Sequence, residues 1–128
     1  MFAITAPYAG GLALLLLGLS INVIRHRMRM GASHGDHGDD ALAKAIRVQG
    51  NCAEYAPLGL ILLALTEAQG APGWSVHVLG LMLVLGRVMH AYGFGRTPQV
   101  IPLRQAGMIL TFTMLLLSGL GLIAHALI

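Results

Sequence analysis

The chain has 128 residues, of which 56% are hydrophobic and only 10% charged, and its mean hydropathy is +0.75. A water-soluble domain of this size could not carry so much apolar side chain on its surface, so a soluble enzyme or binding module is excluded. The formal charge of +3 would suit nucleic acid, but the basic residues stand at the ends of apolar stretches and are not interleaved with aromatics. Membrane topology accounts for them, and no nucleic-acid partner is expected.

Four apolar segments follow in chain order, at residues 2–24, 45–66, 74–92 and 105–128. Each offers about the 20 residues that a helix needs to cross the hydrocarbon core of a bilayer. With short connections they use the whole length, which predicts an all-α, integral membrane four-helix bundle forming one domain over residues 1–128. The first segment has no basic residue before it and Arg25, Arg27 and Arg29 after it. That is the reverse of a cleavable signal peptide, so the segment is expected to stay as a helix. Gly10, Gly11, Gly18, Gly119 and Gly121 are expected to allow close helix approach. Between the segments lie a polar loop at 25–44, a tight turn built on Gly70, Pro72 and Gly73, and a loop at 93–103 holding Gly93, Gly95, Pro98 and Pro102. The last of these should stop one helix and let the next begin after Pro102.

The charges set an orientation. All 8 lysines and arginines belong to, or flank, the loops at 25–44 and 93–103: Arg25, Arg27, Arg29, Lys44 and Arg47 with the first, Arg87, Arg96 and Arg104 with the second. Basic residues near span ends are retained in the cytoplasm. Both loops are therefore expected to be cytoplasmic, and both termini and the turn at 67–73 to face the periplasm or lumen.

Ionisable side chains inside a span cost about 2.5–3.5 kcal/mol each on insertion scales, so they normally meet a partner or a wet cavity. In the second segment Arg47, Asn51, Glu54 and Leu58 recur at helical spacing and put three polar side chains on one face, with Tyr55 beside them and Gln49 off the stripe. Pro57 should bend the helix and free a carbonyl near Ala53. In the third segment Arg87, His90 and Phe94 are spaced the same way, and Arg104 opens the fourth. Glu54 paired with Arg87 or Arg47 would satisfy the carboxylate. Arg47, Arg87 and Arg104 against that one acid leave an excess of cations, which points to an anionic ligand. The bland alternative is that these groups hold helices together.

Other candidates are weaker. Cys52, alone, reads as a small buried apolar side chain. The run from His34 to Asp40 holds two histidines and three aspartates, but so glycine-rich a segment fixes no ligand geometry, and it reads as a solvated loop with no metal. His77 and His125 read as interfacial, and His90 has no evident histidine partner for a haem. Arg25 and Arg27 are topology signals, with Arg27 the one placed to reach a ligand.

The stretch from Arg47 through Gln49, Asn51, Glu54 and Tyr55 to Pro57 resembles the second-helix signature of the membrane-associated proteins in eicosanoid and glutathione metabolism, the MAPEG superfamily. The stretch from Gly86 through Arg87 and His90 to Gly93 resembles its third-helix signature, and that from Arg104 through Gly107 to Thr111 is similar to the start of helix four in bacterial members related to microsomal glutathione transferases. The resemblance covers nearly the whole chain. It implies a homotrimer in a bacterial inner membrane with glutathione bound between protomers near the cytoplasmic face. Arg47, Gln49, Asn51, Glu54, Tyr55, Arg87, His90, Phe94 and Arg27 are then the expected glutathione contacts. Arg104 is the expected catalytic arginine, lowering the thiol pKa for attack on an apolar second substrate or a peroxide. The leukotriene synthase branch of the superfamily differs: an ungapped alignment puts Ile101 at its catalytic arginine, and it has tyrosines where this chain has His90 and Phe94. The expected function is thus a glutathione-dependent transferase or peroxidase, with a non-catalytic glutathione-binding or structural trimer as the alternative. A small transporter is disfavoured, because matching broken helices are missing.

Overall fold

A computed structural model describes all residues from Met1 to Ile128. Four helices account for almost the entire chain: α1 (Thr5–Met30), α2 (Asp40–Ala68), α3 (Gly73–Gly95) and α4 (Ile101–Leu127). The molecule is an all-α membrane bundle. By length and apolarity α1, α3 and α4 each qualify as a span, whereas α2 does not. The reason is the polar stripe itself, which dilutes the hydrophobicity of α2 and makes it the helix least suited to face lipid.

The helix ends depart from the expected ones in a consistent way. At the basic end the helices run on past their apolar parts. Arg25, Arg27 and Arg29 form the last turns of α1, which stops at Gly31 in the left-handed conformation (φ 65°), where glycine is free of Cβ strain. α2 starts at Asp40, because the Asp39 carboxylate accepts the Leu42 amide at 2.7 Å and caps it. The His34–Asp40 run thus divides into a loop and a helix cap, and no group of three metal-ligating side chains forms there or elsewhere. α4 begins at Ile101 with Pro102 in its first turn, the position where proline's missing N–H costs nothing. α2 passes through Pro57 as one helix.

The core lies where α1, α2, α3 and α4 meet around Leu12, Cys52, Ala56, Leu63, Val76, Leu83 and Met114. Cys52 is buried and free, as expected of an apolar filler. Close helix approach uses other glycines than those expected. Gly10, Gly11, Gly18, Gly119 and Gly121 have open space around them, because they lie on the outer faces of α1 and α4. The tight crossing is that of α3 with α4. A Cβ on Gly107 would fall 2.5 Å from the Gly86 carbonyl oxygen and from the His90 nitrogen, and one on Gly93 would fall 2.5 Å from the Arg104 nitrogen. These absent side chains bring Arg87 and His90 of α3 against the first turns of α4.

At the opposite end α1 is capped from a distance. It has no side-chain cap of its own. Instead the Glu67 carboxylate, in the last turn of α2 beyond its apolar part, accepts the amides of Ile4 (2.9 Å) and Thr5 (2.8 Å) and the Thr5 hydroxyl (2.6 Å). His77 is exposed there, its Nδ1 2.8 Å from the Tyr8 hydroxyl.

Candidate functional site

Arg87 is the buried centre of the arginine-rich end, with 1% of its surface exposed. It has no carboxylate partner. Its Nε donates to the Thr111 hydroxyl at 3.0 Å, its Nη1 to the side-chain oxygen and, at 3.4 Å, the main-chain oxygen of Asn51, and its Nη2 to the Met108 sulfur at 3.1 Å. The Tyr55 ring covers the guanidinium with its centroid 5.3 Å from Cζ, and Phe112 packs edge-on against Tyr55. A desolvated cation is tolerable only when its donors are satisfied. Here oxygens, a sulfur and a π face from α2 and α4 do that, so Arg87 ties three helices together.

Glu54 pairs with Arg47, not with Arg87: the two lie 3.3 Å apart along α2. Both side chains are more than half exposed, at 57% and 54%. The stripe read from the sequence therefore divides. Asn51 and Tyr55 turn inward to Arg87, while Arg47 and Glu54 occupy the outer face of α2. Gln49 is half-buried and lies off this stripe, on the other side of α2.

Arg104, His90 and Phe94 form a layered group between α3 and α4. The Arg104 guanidinium sits 4.0 Å above the centroid of Phe94, and the imidazole of His90, 4% exposed, stacks at 5.7 Å on the same ring. Arg104 Nη1 donates to Gln99 Oε1 at 2.9 Å. Cation–π contacts of this kind keep an arginine over the ring while leaving its remaining N–H groups free to meet an anion.

Two cavities border this group. A polar cleft of about 200 Å³ is lined by Asp40, Ala43, Lys44, Arg47, Phe94 and Gln99. An apolar groove of about 630 Å³ runs along the outer face of α4 between Ile101, Arg104, Gln105, Met108, Ile109 and Phe112. A third cavity, of about 410 Å³, lies at the other end of the bundle beside Gln69, Ser75, Ser118 and His125 and shares no residue with this group.

Of the residues singled out from the sequence, Asn51, Tyr55 and Arg87 form one cluster and His90, Phe94 and Arg104 a second, with Arg47 and Glu54 beside them. Arg27 is not brought in. It lies at the end of α1 and donates to the Gly35 carbonyl at 2.8 Å, closing its own loop. Four participants were not foreseen: Thr111, buried on the inner face of α4, Met108, at the edge between that face and the groove, and Gln99 and Lys44 around loop 96–100. Thr111 stands one turn after Gly107, so the tight crossing it serves could have been read from that spacing. Nothing in the sequence singles out Gln99.

The MAPEG family model matches residues 5–124. Among curated proteins, the chain is similar to the inner membrane protein YecN of Escherichia coli, from strain K12 and from O6:H1 (strain CFT073). Each is 41% identical over 118 residues, which cover 92% of this chain and 88% of the relative. The glycine crossing, the arginine cluster and all four helices but for the last three residues of α4 thus fall inside the matched region, and the chain belongs to the MAPEG family as an integral membrane protein.

Proposed function

We propose that this protein is a glutathione-dependent transferase or peroxidase of the inner membrane, activating the glutathione thiol for attack on an apolar electrophile. The position of Arg104 carries this reading. Its guanidinium rests on Phe94 and Gln99, two walls of the polar cleft, while its own side chain lines the apolar groove. An anion in the cleft and an apolar molecule in the groove would meet at this arginine. Glutathione suits the cleft by charge: it carries two carboxylates and an ammonium, and Arg47, Lys44 and Asp40, which line the cleft, offer the complementary signs.

In the proposed step the thiol gives its proton to solvent, and the adjacent Arg104 cation stabilises the thiolate. The sulfur then forms a bond to the electrophilic carbon as the leaving group departs with its electron pair. With a peroxide, the thiolate would attack one oxygen to give a sulfenic acid as the O–O bond breaks. The other oxygen would leave, protonated from solvent, as the alcohol, and a second glutathione would then displace water to form the disulfide.

The outer face of α2 supports a homotrimer. Arg47 and Glu54 are exposed on the one helix that is not apolar enough to stand in lipid, and ionisable groups at that depth need protein or water around them. Copies of the chain packed through this face of α2 would supply that cover and would place Arg47 and Glu54 between protomers. The basic loops are assigned to the cytoplasm and both termini to the periplasm on charge alone.

Thermal unfolding of the detergent-purified protein with and without glutathione tests binding. A ligand at 100 times its Kd stabilises by about 2.7 kcal/mol, so a clear rise in Tm is expected, lost in Arg47→Ala while the oligomer persists. Absence of any shift, with Arg47→Ala breaking the oligomer, would favour the rival reading of an assembly role alone. That rival draws on Arg87, each of whose three nitrogens donates to a protein acceptor.

A further inference from the structure

Loop 96–100 is held at three points. Val100 donates its amide to the Gly93 carbonyl at 2.9 Å and accepts from the Arg104 amide at 3.0 Å, which closes the loop between α3 and α4. From α2, Lys44 Nζ donates to the Arg96 carbonyl (3.2 Å) and the Thr97 hydroxyl (2.9 Å). The close approach at Gly93, where a Cβ would strike the Arg104 nitrogen, fixes where the loop re-enters the bundle. The loop presents one side chain to Arg104: Gln99, whose Oε1 accepts from Nη1 at 2.9 Å.

We infer that Gln99 is the positioning residue for Arg104, with loop 96–100 as the bracket that sets its place. This rests on the proposed role of Arg104 at the thiol. A guanidinium held over an aromatic ring, as Arg104 is over Phe94 at 4.0 Å, keeps its distance from the ring but can still turn and slide above it, because the attraction of the π face has little directional preference in plane. One hydrogen bond at the edge removes that freedom. Phe94 sets the height of the guanidinium and Gln99 its bearing, so that the remaining N–H groups point at one place. Gln99 and Phe94 also line the polar cleft, so a ligand there touches the groups that hold Arg104. A neutral acceptor suits this position, because a carboxylate there would offset the positive charge that a thiolate needs.

The pH dependence of the glutathione thiolate absorbance on the detergent-purified protein tests the inference, using wild type, Gln99→Ala, Arg104→Ala and the double variant. Gln99→Ala is expected to raise the apparent thiol pKa by about one unit, a tenfold loss of thiolate near neutrality, with Tm and oligomer unchanged. Gln99→Glu is expected to raise it at least as far. In the Arg104→Ala background Gln99→Ala should have no further effect, because a residue that acts through another is silent once that partner is gone. An unchanged pH profile in Gln99→Ala, or an equal shift with and without Arg104, would overturn the positioning role while leaving the transferase reading in place. A wild type that forms no thiolate would overturn both.

Discussion

Arg87 on α3 donates through one nitrogen to both oxygens of Asn51 on α2, and this contact joins a buried cation to the polar stripe without a counter-ion. Hydrogen bonds to charged groups contribute about 1.5–3 kcal/mol each. Asn51→Leu, which removes the side-chain acceptor and leaves the cation short of partners, is therefore expected to destabilise the bundle by about 2–3 kcal/mol. Asn51→Asp keeps an oxygen in place and adds a charge of the right sign, so it should hold wild-type stability or exceed it. Arg87→Lys cannot reach Thr111, Asn51 and Met108 at once from one nitrogen and should behave like the loss of the group. Denaturant or thermal unfolding in detergent measures all three.

The crossing of α3 and α4 gives a second test. Gly107→Ala would place a methyl group 2.5 Å from two backbone atoms of α3, which cannot move aside as a flexible side chain could. Overpacking of this kind costs about 1–3 kcal/mol, and the displaced helices would separate Arg87 from Thr111. Gly119→Ala meets nothing within 4 Å. It should be neutral, or stabilising by up to about 1 kcal/mol from helix propensity. Comparable losses at both positions would contradict the packing described.

Glu67 makes the distant end of the bundle sensitive to acid. The Thr5 hydroxyl above all, with the amides of Ile4 and Thr5 helping, holds its carboxyl below the usual carboxylate range, against the opposing effect of desolvation. A group whose pKa is lowered by folding stabilises the fold fully above its unfolded value, about 4.3 for glutamate, and loses that contribution as pH falls through the folded value. The start of α1 is thus expected to fray in acid, seen as loss of hydrogen-exchange protection confined to the first turn. Glu67→Gln should lower protection at neutral pH and abolish its acid dependence.

Much of this architecture could be read from the residues. Apolar runs gave the four helices, and the spacing of Arg47, Asn51, Glu54 and Tyr55 marked α2 as the polar helix. Periodicity could not say how that stripe divides, because Asn51 and Arg47 are separated by less than half a helical circumference and a modest rotation of α2 decides which one meets Arg87. The glycines show the same limit. Gly119 and Gly107 look alike in sequence, and only the crossing point distinguishes a contact from an open face. Gln99 was invisible for another reason: its role depends on a loop closure set by Gly93 and Lys44, residues distant from it in chemistry or in sequence.

Activation of the glutathione thiol at Arg104 is tested most directly by the absorbance of bound thiolate, followed with turnover of a general aromatic electrophile, in wild type and Arg104→Ala. The wild type is expected to show thiolate at neutral pH and to form the conjugate, and Arg104→Ala to lose both by about 100-fold, in the range of a single removed charge-stabilising donor. A wild type without thiolate or conjugate, indistinguishable from Arg104→Ala, would contradict a role for the arginine-rich end in activating the thiol.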